Sequence, residues 1–255
     1  MTDFAEGDPV GVVPAFSMND YGTYGDRVIV SAAAVVPRPA GVEPVTAAAV
    51  WMAYITAYGA LIDEGSLRAG DHVLLTAAAG GVGLAAIQTA RRIGAVPIAT
   101  TRDAGKKQAL VDAGAAHVIV TDEEDLVARV KEITGGAGVR LAFDPIAGPG
   151  VEEIARAITP GGRLLIYGSL DPRPTPLPNA AFYPDLSTGT FTMFRVTGDA
   201  DRLRRAVAFI NAGLRDGSLA PVVDRTFDLA DIVAAHRYME LGAQTGKIVI
   251  TVSHD

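Results

Sequence analysis

The sequence contains no cysteine and only four histidines among its 255 residues. Without cysteine, the chain forms no disulfide and offers no thiolate to a metal ion. The histidines lie far apart, and none is three or four residues from another, at positions His72, His117, His236 and His254. The sequence therefore predicts a protein that binds no metal.

Excess positive charge and long uncharged apolar segments are also lacking. The formal net charge is −7, which disfavours binding to a nucleic-acid backbone or to an anionic membrane surface. The first ten residues are acidic and contain no apolar core of the kind found in signal peptides, and no membrane-length apolar span follows. We expect a soluble, cytoplasmic protein that binds neither nucleic acid nor membrane.

Apolar strands and amphipathic helices alternate through the middle of the chain. The composition, 49% hydrophobic and 20% charged, suits one large or two modest globular domains. Repeated strand–helix units predict an α/β fold with a doubly wound parallel sheet, and ligands bind such sheets at the carboxyl ends of the strands. Predicted strands cover residues 73–75, 97–101, 118–120, 139–143 and 163–167, with 188–196 as a candidate sixth, and predicted helices cover 108–113, 122–133 and 151–158.

A glycine-rich turn joins the first of these strands to its helix. Gly80, Gly81 and Gly83 allow tight backbone angles and let an anion approach the amide groups at the helix N-terminus. This arrangement is typical of the turn that holds the pyrophosphate of a dinucleotide. A purely structural strand-to-helix turn is the alternative, because such turns favour glycine in any case.

The next strand ends in residues that bear on the choice of nucleotide. An acidic residue at this place would hold the ribose 2′-hydroxyl of NAD, but the strand ends in Thr101 and Arg102, with Lys106 nearby. The two cations are suited to a 2′-phosphate, and Thr101 offers a hydroxyl, so NADPH is favoured over NADH. Asp103 keeps NADH as an alternative, and the cations are also compatible with a solvated start of a helix.

Both ends of the chain depart from the strand–helix alternation. Residues 1–45 contain extended runs at 10–13 and 28–36, whereas the C-terminal part predicts helices at 201–214 and 229–241 and strands at 221–227 and 247–252. The simplest arrangement is a second module built from both ends, so we predict domain segments 1–45, 46–213 and 214–255. The proline-rich residues 171–184 are predicted to form a loop that overhangs the ligand cleft.

Several motifs, in order, resemble the zinc-free quinone oxidoreductase branch of the medium-chain dehydrogenase/reductase superfamily. They are TAYGAL (56–61), LRAGDHVLLTAAAGGVG (67–83), ATTR (99–102), DAGAAHVI (112–119), TGGAGVRLAFDPIAG (134–148), PGGRLLIYG (160–168) and AHRYMELGAQTGKIVI (235–250). The resemblance implies a Rossmann cofactor domain, a smaller GroES-like domain, NADPH, a quinone or enone acceptor and a homodimer. The chain begins close to the segment GDPVGVVPAF, so we expect the GroES-like module to be incomplete.

The resemblance also implies positions for the cofactor. Three groups of residues would contact the pyrophosphate, the adenosine end and the nicotinamide, respectively: Ala79, Gly80, Gly81, Val82 and Gly83; Thr101, Arg102, Lys106 and Ile146; and Gly168, Ser169 and Leu170.

A reductase of this kind also needs a proton donor. Tyr54 and Thr56 in the motif YITAY, and Asn19 and Tyr21 in SMNDY, are the candidates. Core packing is the alternative for the tyrosines of YITAY and the better interpretation of Tyr58, while a loop turn is the alternative for Asn19 and Tyr21. Two functions follow: an NADPH-dependent reductase of quinones or enones, or a nucleotide-binding redox-sensing or assembly subunit without turnover.

Overall fold

The middle of the chain forms a six-stranded parallel sheet. The structure, a computed structural model, describes residues 4–17, 19–39, 41–182 and 185–252. Its strands are β1 (Val10–Val12), β2 (Val35–Pro37), β3 (His72–Leu75), β4 (Val96–Thr101), β5 (His117–Val120), β6 (Val139–Asp144), β7 (Ile158–Ile166), β8 (Ser187–Thr190), β9 (Val223–Asp228) and β10 (Lys247–Thr251). The central sheet has the order β5-β4-β3-β6-β7-β8. Strands β4 and β5 are added on one side of β3 and strands β6 to β8 on the other, so the order of the strands reverses between β3 and β6. The predicted doubly wound α/β fold is confirmed.

Helices cover both faces of this sheet. On one face lie α2 (Trp51–Tyr58), α3 (Gly81–Arg92) and α8 (Ala200–Asp216), and on the other lie α5 (Leu126–Ile133) and α6 (Val151–Arg156). The remaining helices are α1 (Pro44–Ala48), α4 (Lys107–Asp112), α7 (Phe194–Thr197) and α9 (Ile232–Glu240), of which α1 and α9 contact the strand pair β9–β10. A π-helical turn, Gly59–Glu64, extends α2, and short 3₁₀ turns lie at Ala32–Ala34, Ala104–Lys106, Gly148–Gly150, Asn179–Ala181 and Leu229–Asp231.

Alternation along each strand divides the core into two layers. Val73 and Leu75 belong to the cluster that includes α2, α3 and α8, whereas Leu74 of the same strand belongs to the cluster with α5 and α6. Successive side chains of a strand point to opposite faces, so an entirely apolar strand is buried on both sides. The tyrosine predicted to pack in the core does so, because Tyr58 is buried with its ring 5.3 Å from that of Phe209.

Helix α5 begins later than residue 122, where the sequence placed its start. The carboxylate of Asp125 accepts a hydrogen bond from the amide of Ala128 (2.7 Å) and caps the helix, while Glu124 accepts one from the amide of Val120 (2.9 Å). This backbone hydrogen bond lowers the pKa of Glu124. Asp125 therefore lies at the helix N-terminus, where its carboxylate caps an amide and is favoured by the helix dipole.

The sixth strand is shorter than predicted. β8 ends at Thr190, and a last backbone hydrogen bond joins Phe191 to Ile166 (2.7 Å) before the chain turns into α7. The prediction of β structure through residue 196 is wrong, because α7 occupies its end. Val196, an apolar residue of the predicted strand, is still buried, but it lies in helix α7.

The end segments form two small sheets outside the central one. β1 pairs with β2 in antiparallel fashion, and β9 pairs with β10 in parallel. The predicted extended run at 28–36 is a strand only at its end, since Ile29 is 84% exposed and a 3₁₀ turn precedes β2. The division into domain segments at 45/46 and 213/214 stays a prediction.

The proline-rich loop after β7 packs beside the sheet. Its residue Thr175 accepts a hydrogen bond from the amide of Gly148 (3.0 Å), and Asp171 donates its own amide to Ile146 (2.9 Å). Asp171 also pairs with Arg173, whose hydrogen bonds lower the pKa of the carboxyl to about 2.

In the part of the chain that the structure describes, no helix combines the length and the apolar character of a membrane span.

Candidate functional site

The turn after β3 brings the start of α3 close to the sheet. A Cβ on Gly83 would collide with the backbone of Ala78, so only glycine lets the helix approach this closely. A Cβ on Gly80 would meet only the carbonyl oxygen of Ala77, at 3.8 Å. The first amide groups of a helix have no partners within it and carry the positive end of its dipole, so an anion is favoured at this turn.

A cleft of about 750 Å³ opens beside this turn, at the carboxyl ends of β3, β4, β5 and β6. It lies where the order of the strands reverses, which is the usual ligand position in doubly wound sheets. Six residues predicted to contact a cofactor line it: Ala79, Gly80, Thr101, Arg102, Lys106 and Ile146.

The other predicted cofactor residues lie next to the cleft rather than on its lining. Gly81, Val82 and Gly83 form the first turn of α3. Gly168, Ser169 and Leu170 follow β7, where the amide of Leu170 donates to the carbonyl of Pro145 (3.1 Å). The last three are thus adjacent to Ile146, and their contact with a nicotinamide stays a prediction.

Arg102 and Lys106 line the same part of the cleft but differ in their hydrogen bonds. Arg102 is exposed, and its guanidinium makes no hydrogen bond or ion pair with the described residues. Lys106 donates from Nζ to the carbonyl oxygens of Gly242 (2.9 Å) and Gln244 (3.1 Å). The carboxylate of Asp103 caps the amide of Gly105 (2.8 Å) while also lining the cleft.

Residues 241–244 of the C-terminal segment form part of the cleft wall, which sequence reasoning missed. Gln244 lines the cleft with its Oε1 buried and without a hydrogen-bond partner in the described residues. The amide of Gly246 donates to the carbonyl of Ala79 (2.9 Å), which joins this segment to the glycine turn. Local sequence patterns carry no signal for a contact between segments so far apart, although the helix and strand on either side were predictable.

A buried carboxylate supports the floor of the cleft. Asp144, at the end of β6, is fully buried and accepts hydrogen bonds from the hydroxyl of Thr76 and the amide of Ala147 (2.6 Å). Ala147 has φ +60° and ψ −142°, a backbone conformation that costs a residue with a side chain about 1–3 kcal/mol. Asp144 thus holds a strained segment of the cleft wall, and an acid directly after an apolar strand was its sequence signal.

Lys247 brings a cation to the glycine turn. Its aliphatic stem lies against Gly81, where a Cβ would collide with it. Its ammonium has no hydrogen bond or ion pair with the described residues, and burial lowers the pKa of this group. An unpaired, partly desolvated cation beside the positive end of a helix dipole is electrostatically unfavourable unless an anion binds there.

The four candidate proton donors lie away from the cleft lining. Tyr54 is buried and donates its hydroxyl to Gln88 Oε1 (2.7 Å), and burial raises the pKa of this tyrosine. The Thr56 hydroxyl donates to the carbonyl of Met52 (2.6 Å). The amide of Asn19 donates to Ser17 Oγ (3.2 Å), and Tyr21 packs edge-on against Phe16 with the ring centroids 5.0 Å apart. The structure does not bring these four residues together, and their catalytic role stays a prediction.

The chain matches the zinc-binding dehydrogenase family over residues 81–212, more than half its length. No group of three or more histidine, cysteine, aspartate or glutamate residues that could hold a metal ion occurs in the part of the chain that the structure describes.

Individual relatives agree with the family match. The chain is 34% identical, over 85% of its length, to the mycoketide-CoA synthase of Mycobacterium tuberculosis, of which it spans only 5%. A solved NAD-dependent alcohol dehydrogenase is 28% identical with a TM-score of 0.84, covering 98% of this chain and 78% of that one. A Bacillus thuringiensis protein described as an NADPH:quinone reductase is 26% identical with a TM-score of 0.82, covering 89% of this chain and 70% of that one. The predicted resemblance is thus confirmed, and the chain belongs to the zinc-binding dehydrogenase family of the medium-chain dehydrogenase/reductase superfamily.

Proposed function

We propose that this chain is an NADP-dependent oxidoreductase that transfers hydride to a quinone, an enone or a similarly activated double bond. The observation that carries the proposal is the cleft at the reversal of strand order. A glycine turn lies on one side of it, and Arg102, which has no partner among the described residues, lies on the other. A relative described as an NADPH:quinone reductase supports the choice of cofactor and acceptor. The chain spans only part of the length of the relatives it matches, so the whole activity is a proposal.

Residues of the cleft and of its surroundings would suit the parts of a dinucleotide. The amides of residues 80–83 and the ammonium of Lys247 would hold the pyrophosphate. Ile146 would pack against the adenosine, with Thr101 and Arg102 at the 2′-phosphate. Asp103 supports the alternative, NADH, since a carboxylate at this place accepts from a ribose hydroxyl.

When bound, the nicotinamide supplies the hydride, and the protein orients it and excludes water. We propose that Gly168, Ser169 and Leu170 hold the nicotinamide end. The reduced acceptor also requires a proton, for which Tyr54, Thr56, Asn19 and Tyr21 remain the candidates.

Arg102→Ala tests the cofactor assignment. A ligand that binds the folded protein raises its melting temperature according to RT ln(1 + [L]/Kd). In the wild-type protein we expect NADPH to give a larger shift than NADH. Loss of hydrogen bonds to a charged group costs about 1.5–3 kcal/mol, so the variant should bind NADPH roughly 10- to 100-fold more weakly and NADH almost unchanged.

Arg68→Ala is the matched control, because Arg68 is also exposed but does not line the cleft. It should leave both nucleotide affinities unchanged. The absence of a shift with either nucleotide in the wild-type protein would remove the proposed cofactor, and equal losses for NADPH and NADH in Arg102→Ala would remove the assignment of the 2′-phosphate.

A nucleotide-binding subunit without turnover is the second candidate. The observation that favours it is that none of the four candidate proton donors lines the cleft. Oxidation of NADPH with a panel of quinones and enones separates the two functions: acceptor-dependent turnover supports the enzyme, whereas binding without turnover supports the second candidate.

We also propose a homodimer, which sedimentation of the full protein would test.

A further inference from the structure

Lys106 stands between the nucleotide end of the cleft and a loop from the other end of the chain. Its Nζ donates to the carbonyl oxygens of Gly242 (2.9 Å) and Gln244 (3.1 Å), residues that lie 136 and 138 positions away in sequence. Both residues also line the cleft. Two of the three N–H donors of Lys106 therefore bind the loop and are not available to a phosphate.

The loop, residues 241–246, is fastened at its other end to the glycine turn. The amide of Gly246 donates to the carbonyl of Ala79 (2.9 Å), and the amide of Thr245 donates to a carboxylate oxygen of Asp224 (3.0 Å). The loop thus runs between the two places where the phosphates of a dinucleotide would bind, and Lys106 fixes the end next to the adenosine site.

Arg102 makes the contrast clear, since it lies on the same side of the cleft without any partner in the described residues. Carbonyl oxygens that accept from an ammonium form charge-assisted hydrogen bonds, which are stronger than neutral ones. Removing that ammonium removes the hydrogen bonds to both carbonyl groups. The attachment of the loop is then weaker even in the nucleotide-free protein.

We propose that Lys106 is a positioning residue that holds the 241–246 loop closed against the cleft, and that this loop contributes to binding of both NADH and NADPH. Arg102 then carries the preference for the 2′-phosphate. The second half of the inference rests on the proposed function, whereas the attachment of the loop does not.

Lys106→Met tests the attachment in the nucleotide-free protein. Hydrogen–deuterium exchange of the peptide that contains Thr245 and Gly246 should become about tenfold faster, since the loop opens more often without its charge-assisted hydrogen bonds. Lys107→Met is the matched control, because Lys107 is the exposed neighbour outside the cleft. Lys106→Arg, which keeps the charge and the donors, should restore most of the protection.

The affinities for the two nucleotides test the consequence. Lys106→Met should lower the affinity for NADH as well as for NADPH, whereas Arg102→Ala should lower the affinity for NADPH alone. Unchanged exchange of the loop in Lys106→Met overturns the attachment, and a loss restricted to NADPH shows that Lys106 is a phosphate ligand instead. If neither nucleotide binds the wild-type protein, the proposed function fails, but the exchange measurement still decides whether Lys106 holds the loop.

Discussion

Lys247 is a residue whose charge costs stability in the free protein. Its ammonium is partly buried beside the glycine turn without a partner in the described residues, and burial lowers its pKa from the usual 10.5. Folding therefore disfavours the charged form, and the unfolded chain binds the proton more readily. Stability on this account rises with pH between the lowered pKa and 10.5, because the penalty exists only while the unfolded lysine is protonated.

Lys247→Met should raise the melting temperature of the nucleotide-free protein at pH 7, since methionine fills similar space without a buried charge. The same variant should bind NADH and NADPH about tenfold more weakly through loss of the cation at the pyrophosphate. Calorimetric unfolding and nucleotide titration measure the two effects. A variant that loses stability at pH 7 would contradict the assignment of an unfavourable buried charge.

Individual residues were predictable where their neighbours in sequence decide their role. Arg102 follows a recognisable strand, so its place on the cleft could be deduced from local pattern. The partner of Tyr54 could not, since Gln88 lies 34 positions away and its side chain also bonds Ala220. Hydrogen bonding and burial of the Tyr54 hydroxyl depend on the way α2 packs against α3.

The junction of β3 and α3 shows how one element limits another. Gly83 lies inside the helix, where alanine would ordinarily be the better residue by about 1 kcal/mol. Here a Cβ meets the backbone of Ala78, which cannot move aside as a flexible side chain can. The steric conflict should therefore exceed the gain in helix propensity.

Gly83→Ala should destabilise the protein by about 1–3 kcal/mol, the usual cost of forcing extra atoms into a packed interior. Gly80→Ala is its control, since a Cβ there has only one neighbour, at 3.8 Å, and the change at a helix N-cap should cost less than about 1 kcal/mol. Chemical denaturation measures both. Gly80→Ala should nevertheless lose stabilisation by nucleotide, because it lines the cleft; equal stability losses in the two variants would contradict this account.

The elements themselves followed from apolar periodicity in the centre of the chain and less well at its boundaries. The start of helix α5 was predicted too early, and only the hydrogen bond between Asp125 and Ala128 locates the cap. The apolar pattern of residues 188–196 is compatible with either a strand or a helix, because Val196 would be buried in both cases. The sheet edge, where β8 ends, decided between them.

At the scale of the whole molecule, an ion pair joins distant parts of the chain. Arg92 at the end of α3 contacts Asp216 at the end of α8, with 2.6 Å between the nearest atoms. Hydrogen bonds from Ser218, followed by those from Arg92, lower the pKa of Asp216 from 3.8 to about 2. The carboxylate is thus favoured in the folded state, and its contribution to stability is present above about pH 4.

This contribution should disappear as the pH falls from about 4 to about 2. We expect Asp216→Asn to melt at a lower temperature than the wild-type protein at pH 7 and the difference between them to narrow steadily below about pH 4. Thermal unfolding across that range measures it. A difference that stays constant down to about pH 2.5 would show that Asp216 acts through packing rather than through its charge.

The sequence by itself determined the alternation of strands and helices from β3 to β7, the glycine turn and the cation at the end of β4, because each depends on residues close together in the chain. Only the tertiary structure decided that Lys106 holds the 241–246 loop, that Lys247 lies on Gly81 and that Asp144 supports Ala147 from within the core. The physical reason is that burial and hydrogen-bond partners are set when separate segments pack together, and the first two of these contacts join residues more than a hundred positions apart.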